Sequence, residues 1–164
     1  MSSTSLYYSS GALYAEIQEN ERRYLYENGQ LKTLEPYKEG KLNGEVRLYW
    51  PNGVLKRLSE FRKGSRHGKD QMWSENGTLL DEGSYEHGKP VGIHRRFTEK
   101  GELIEEAIYL DSLRFNLKVW DEMGTLHFEG LWNQDDYVEK TWDRFQNKWN
   151  QKKGRWDGKK VVFF

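Results

Sequence analysis

The residues able to do chemistry are few and scattered. The chain carries four histidines, His67, His87, His94 and His127. None forms a close pair such as H-x-x-x-H, and there is no cysteine to complete a ligand set, so the spacing predicts no metal centre. His67 and His87 sit beside glycines and read as exposed turn residues. Two adjacent carboxylate pairs, Glu105-Glu106 and Asp135-Asp136, invite an acid/base reading. Neighbouring residues on a strand point to opposite faces, so such pairs cannot converge on one substrate. They read as solvated surface. Asp135 and Asp136 fall in a degenerate turn, which makes them candidate partner contacts. The recurring Gly-Lys turns lack the phosphate-loop pattern G-x-x-x-x-G-K-[ST], and no G-x-S-x-G nucleophile elbow occurs. The residues point to no catalytic constellation and no cofactor, and the expectation is a protein that is not an enzyme.

Binding chemistry is better represented. The segment Arg57 to Lys69 supplies Arg57, Arg62, Lys63, Arg66 and Lys69 next to aromatics, a composition that can contact anionic lipid. The competing explanation is a charged sheet edge that discourages strand-to-strand aggregation. That explanation is favoured, because acidic residues are interspersed. Lys+Arg and Asp+Glu are both 26, a formal net charge of zero. General nucleic-acid binding favours a basic excess and is not expected. Trp, Tyr and Phe number 7, 10 and 7, so the core is aromatic-rich and thin. Tyr24, Tyr26 and Trp50 fall outside the best core columns and are candidate partner contacts. The lack of cysteine suits a reducing, cytoplasmic setting. The N-terminus shows no secretory pattern, and no apolar run reaches the ~20 residues of a membrane helix.

These residues must be positioned by a repeat. The turn in "YENGQLK" returns in "WPNGVLK", "SENGTLL", "TEKGELI" and "DEMGTLH", with glycines at 29, 53, 77, 101 and 124. The spacings are 24, 24, 24 and 23. A worn copy centres on Lys148, and Gly11 marks a shortened first unit. Leucine stands two residues after each zero point. An aromatic stands eight after it (Tyr37, Phe61, Tyr85, Tyr109, Trp132, Trp156), and a large apolar residue four before it (Leu25, Tyr49, Trp73, Phe97, Trp120). Position plus six is often small: Ser59, Gly83, Ala107, Gly130. Even offsets share one face of a strand, and two turn signals per unit fit two short strands. A fixed period of this length means stacked units, because one hairpin cannot bury its own apolar face.

The second turn is recognisable. "YKEGKLNG" (Tyr37 to Gly44) and "YEHGKPVG" (Tyr85 to Gly92) read Tyr-x-x-Gly-Lys-x-x-Gly, and "FRKGSRHG" (Phe61 to Gly68) is a close variant. The chain resembles the MORN repeat, and more closely its variant subfamily, over about residues 7 to 134 with weaker traces beyond. The resemblance implies an all-β, elongated, twisted antiparallel meander of stacked hairpins. It also implies a binding or scaffolding role toward proteins or membranes. Bacterial members of the variant subfamily are often labelled antitoxin components of toxin–antitoxin pairs. After Leu110 the Gly-Lys-x-x-Gly turn is lost.

The sequence therefore predicts a repeat array at 7–134 and a divergent C-terminal hairpin or cap at 135–164. The expected function is non-catalytic protein binding, antitoxin-like on the resemblance, with a peripheral lipid-binding scaffold as the alternative. The C-terminal edge is a candidate surface for pairing with a second copy. If position plus six is small because a neighbouring ring packs on it, Gly83→Leu lowers the melting temperature; an unchanged melting curve would remove that argument.

Overall fold

The computed structural model describes residues 3–164, and every regular element among them is a strand. Among the described residues no helix is long and apolar enough to cross a membrane. The chain divides between Lys89 and Pro90 into two compact units. The first holds β1 (Thr4–Tyr7), β2 (Leu13–Ile17), β3 (Glu21–Leu25), β4 (Leu31–Lys38), β5 (Lys41–Leu42), β6 (Gly44–Tyr49), β7 (Leu55–Arg62), β8 (Ser65–Trp73) and β9 (Leu79–Glu86). The second holds all but the first residue of β10 (Lys89–Phe97), and β11 (Leu103–Tyr109), β12 (Phe115–Trp120), β13 (Leu126–Asn133), β14 (Asp136–Asp143), β15 (Lys148–Trp156) and β16 (Val161–Phe163). Within each unit the strands pair antiparallel in chain order, except that β5 pairs with β4 off the main path. This is the all-β hairpin meander that the repeat predicts.

The first turn is the same object six times. In each copy the glycine N–H donates to the carbonyl three residues back, as Gly29 to Tyr26 (2.9 Å) and Gly53 to Trp50 (2.9 Å). That earlier residue donates its own N–H to the carbonyl just past the glycine, as Trp50 to Val54 (2.8 Å). The glycines at 11, 29, 53, 77, 101 and 124 have φ between +74° and +88°. L-residues with a Cβ avoid that region, which is why the glycine recurs. A bulge follows each turn, so the large apolar residue at minus four, aromatic in all but the first of these five copies, faces the leucine at plus two: Leu25↔Leu31, Tyr49↔Leu55, Trp73↔Leu79, Phe97↔Leu103, Trp120↔Leu126. The worn copy differs. Its loop runs 144–147, closed by Asp143↔Lys148, and Asn147 rather than a glycine takes positive φ.

The second turn is a two-residue loop in which both central residues have positive φ, Glu39-Gly40, Lys63-Gly64 and His87-Gly88. This mirror-image turn matches the natural strand twist. Neighbouring second turns are tied together. Gly64 N–H donates to the Leu42 carbonyl at 2.8 Å, and Gly88 N–H to the Arg66 carbonyl at 2.9 Å. Asn43 Oδ1 also accepts from the Lys63 N–H at 3.3 Å.

The core sits along the middle of one sheet face and is built from small residues. In the first unit the row Val46–Ser59–Asp70–Gly83 runs across β6 to β9. The aromatic columns flank such rows and stay half-buried, because a single sheet has no second layer to cover large rings. No large side chain among the described residues is fully buried. In the second unit, Ala107 and Gly130 are buried. Beside them run Tyr109–Phe115 (ring centroids 5.1 Å apart), Trp132–Tyr137 (4.8 Å) and Tyr137–Phe163 (6.2 Å). Burial of Tyr137 pushes its hydroxyl pKa up. The opposite face carries Arg95, Glu106, Lys118, Glu129 and Lys140 in register. Charge alternates along that row, and ion pairs follow, with Arg95–Glu106 at 2.9 Å and Lys140–Glu129 at 3.2 Å.

Asp70 is the exception in the core row, a carboxylate only 3% exposed. Arg57 Nε donates to its Oδ1 at 2.9 Å, and Arg66 Nη1 stands 3.3 Å from Oδ2. A buried charge without such partners is strongly destabilising. We predict that Asp70→Ala lowers unfolding free energy by about 2–3 kcal/mol, less than for a fully enclosed pair because both guanidiniums reach solvent. Urea denaturation checks this; a loss below about 0.5 kcal/mol contradicts it.

Candidate functional site

The sequence singles out the first-turn aromatics, the basic segment and Asp135-Asp136, and the structure gives each a different setting. The first is the row of first turns. Tyr26 and Trp50 stand three before successive turn glycines, so stacking brings each against the next turn. Tyr26 Oη donates to the Tyr49 carbonyl at 2.8 Å, and Trp50 Nε1 donates to the Trp73 carbonyl at 3.0 Å. Tyr8 does the same to Leu25 at 2.8 Å. Asn52 adds a bond from Nδ2 to the Glu75 carbonyl at 2.9 Å. Lys56 Nζ lies 4.0 Å from the Trp50 ring centroid. Tyr24, on β3, faces Ala15 and Thr33 in register and packs edge-on against Tyr14 at 5.9 Å. Tyr26 and Trp50 are thus tied to neighbouring repeats by their polar atoms, a role hidden in the sequence because the partner lies 23 residues away.

Further along, the same position holds Ser74, Thr98 and Asp121, which cap their own turns instead. Asp121 Oδ1 accepts from the Thr125 N–H at 3.0 Å and the Met123 N–H at 2.9 Å, and Arg144 pairs with the other oxygen. The Thr125 N–H and these other donors hold the Asp121 carboxyl below its usual pKa. Asp111 is held low by the Leu113 N–H and Arg114, and Asp157 by the N–H groups of Lys160 and Lys159.

The second surface is the basic segment. Arg57 and Arg66 are engaged with Asp70, and Arg66 also lies 5.3 Å over the Tyr85 ring. Arg62, Lys63 and Lys69 are exposed. His87 is the turn residue that the sequence predicts, but His67 lies within β8 and is half-buried, with its ring 5.4 Å from that of His87. Its Nδ1 is buried without a hydrogen-bond partner.

The third surface surrounds the altered fourth turn. Ile93 and Ile108 face each other across β10 and β11, exposed by 45% and 38%. Leu110 and Leu113, in the turn that follows, are exposed by 52% and 68%. Arg114 rims this strip. It pairs with Asp111 at 2.7 Å and Asp135 at 3.3 Å, and donates to the Gln134 carbonyl at 3.0 Å. Asp136 pairs with Arg155 at 2.9 Å. The apolar members were missed in the sequence, since isoleucine and leucine there fit ordinary strand positions. The loss of the turn glycines after Leu110 was the available signal.

Among the described residues no constellation for catalysis emerges. Glu105 and Glu106 point to opposite faces and pair with Arg96 and Arg95 respectively. Among the described residues no group of three or more His, Cys, Asp or Glu side chains is arranged to hold a metal ion.

Comparison with known proteins supports the repeat. The family described as MORN repeat variant matches residues 18–39 and 42–63, so the chain is similar to that family there. The first-turn geometry of this stretch recurs on either side of it, at Gly11 and from Gly77 to Gly124. The chain has no significant match among curated proteins.

Two predictions follow from these contacts. Trp50→Phe keeps the ring but removes the N–H, leaving the Trp73 carbonyl without that donor; we predict a loss of about 1 kcal/mol by urea denaturation, and no loss would mean the bond contributes nothing. Asp111, Asp121 and Asp157 have lowered folded-state pKa values. Their contribution is complete above the ordinary carboxylate value of 3.8 and is lost as pH falls through the lower folded values. A triple Asp→Asn variant should therefore show a flatter decline in melting temperature below pH 4. An unchanged acid limb contradicts this.

Proposed function

We propose that the protein is a non-catalytic, protein-binding repeat module that works in the cytoplasm. The observation that carries this is the apolar strip of Ile93, Ile108, Leu110 and Leu113, rimmed by Asp111, Arg114 and Asp135. Exposed apolar groups ringed by polar ones mark association surfaces more often than isolated exposed residues do. The strip lies where the repeat departs from its own pattern, which suits a specialised contact rather than a structural need. The similarity to the MORN repeat variant family supports a binding role. Within that role we favour an antitoxin or immunity-like protein that neutralises a partner, on the resemblance of the repeat alone.

The alternative is a peripheral membrane or lipid-binding scaffold using Arg62, Lys63 and Lys69. It is weaker, because Arg57 and Arg66 of the same segment are committed to Asp70.

Ile108→Glu with Leu113→Asp tests the strip. The double variant is expected to keep the far-ultraviolet spectrum and melting temperature of the unmodified protein. It should lose a stoichiometric partner captured from the source lysate. Retention of that partner would rule out the strip as the binding surface. Sedimentation with anionic vesicles, abolished by added salt, together with no captured protein would favour the scaffold.

A further inference from the structure

At the second-turn end of the first unit, five side chains line a cavity of about 310 Å³: Arg62, Lys63, Ser65, His67 and His87. They come from two successive repeats. Arg62 closes β7, Lys63 is the first turn residue, Ser65 and His67 open β8, and His87 is the first residue of the next second turn. The bond from Gly88 N–H to the Arg66 carbonyl seats the His87 turn beside the β7–β8 turn. The 24-residue period thus brings Lys63 and His87, equivalent positions in successive repeats, to one place.

The chemistry of the lining is one-sided. It offers a guanidinium, an ammonium, a hydroxyl and two imidazoles, and no carboxylate among the described residues lines it. Arg and Lys bring positive charge at neutral pH, and every one of the five can donate a hydrogen bond. An imidazole donates an N–H in its neutral and its cationic form alike. Two imidazoles alone would suit a metal ion, but the adjacent Arg62 and Lys63 oppose a cation. The half-buried His67 has Nδ1 enclosed without a partner. Burying an unsatisfied ring nitrogen costs stability. Any donor His67 offers to the cavity is therefore its other ring nitrogen, Nε2.

We propose that this cavity binds a phosphate group. Arg62 and Lys63 supply charge-assisted hydrogen bonds to its oxygens, and Ser65, His67 and His87 supply further donors. The cavity volume lies at the small end of ligand pockets, which fits a phosphate monoester head rather than a large organic molecule. The phosphate can belong to a soluble monoester or to a lipid headgroup. This inference is independent of the apolar strip on the second unit.

The test follows the histidine ring resonances of the full chain by NMR while inorganic phosphate, then phenyl phosphate, is added at constant ionic strength. The expected result is saturable shifts at His67 and His87, with His94 and His127 unmoved. Arg62→Gln combined with Lys63→Gln should weaken binding about tenfold or more. His87→Asn, which suits a positive-φ turn position, should weaken it without changing the melting temperature. A parallel arm sediments the protein with phosphatidylcholine vesicles, with and without a phosphatidylinositol monophosphate. Soluble binding without sedimentation assigns the phosphate to a soluble ligand, and sedimentation lost in the same variants assigns it to a lipid. Shifts that chloride reproduces at equal ionic strength, or no shift at tens of millimolar phosphate together with no sedimentation, would overturn the proposal.

Discussion

A strand pair closed through a glycine at φ near +85° can form in one register, because only that residue admits the turn and the bulge beside it fixes what lies opposite. Everything else in the structure depends on that register being repeated. It places a large apolar residue, usually aromatic, opposite a leucine at each first turn, and it keeps the residues of the core row aligned across β6 to β9. A slip of one residue would turn every aromatic to the other face.

A single sheet has a second problem, which register alone does not solve. Without a second layer it can hide little apolar area. The buried row is made of Val46, Ser59 and Asp70 in one unit and Ala107 and Gly130 in the other, none of them large. Cohesion must come from elsewhere, and the structure supplies it at both ends of the strands. At one end Tyr8, Tyr26 and Trp50 donate to carbonyls of the following turn. At the other end Gly64 and Gly88 donate to carbonyls of the preceding repeat. Hydrogen bonds and cross-strand ion pairs do here what a second layer does in a sandwich. The same shortage of cover leaves rings and aliphatic side chains half-exposed, which makes the sheet suitable for binding.

The fold was legible because its determinants are local. A turn glycine, a leucine two later and an aromatic eight later can be read from spacing alone. The site was less so. Tyr26 and Trp50 resemble spare surface aromatics until stacking brings a carbonyl from the next turn within reach. Asp70 occupies a column that holds Val46 one repeat earlier, so its burial depends on two arginines that sequence placed in a basic patch. His67 and His87 are far apart along the chain, and only the bond between adjacent second turns closes a cavity around them. Ile93 and Ile108 carry no mark of exposure, since a strand buried on one face and a strand open on both read alike when charged residues alternate with apolar ones.

Hydrogen bonds between adjacent turns, rather than a buried apolar layer, are what this structure offers to hold the first unit together. Native-state hydrogen exchange at the Gly64 and Gly88 amides tests this most directly. Both donate to a neighbouring repeat at 2.8 and 2.9 Å and to nothing within their own turn. They are expected to exchange with free energies close to those of amides in the middle of β7 and β8, as members of one cooperative unit. Exchange at the rate of frayed surface turns, with the strand centres still protected, would show that the turn-to-turn bonds do not hold the unit together.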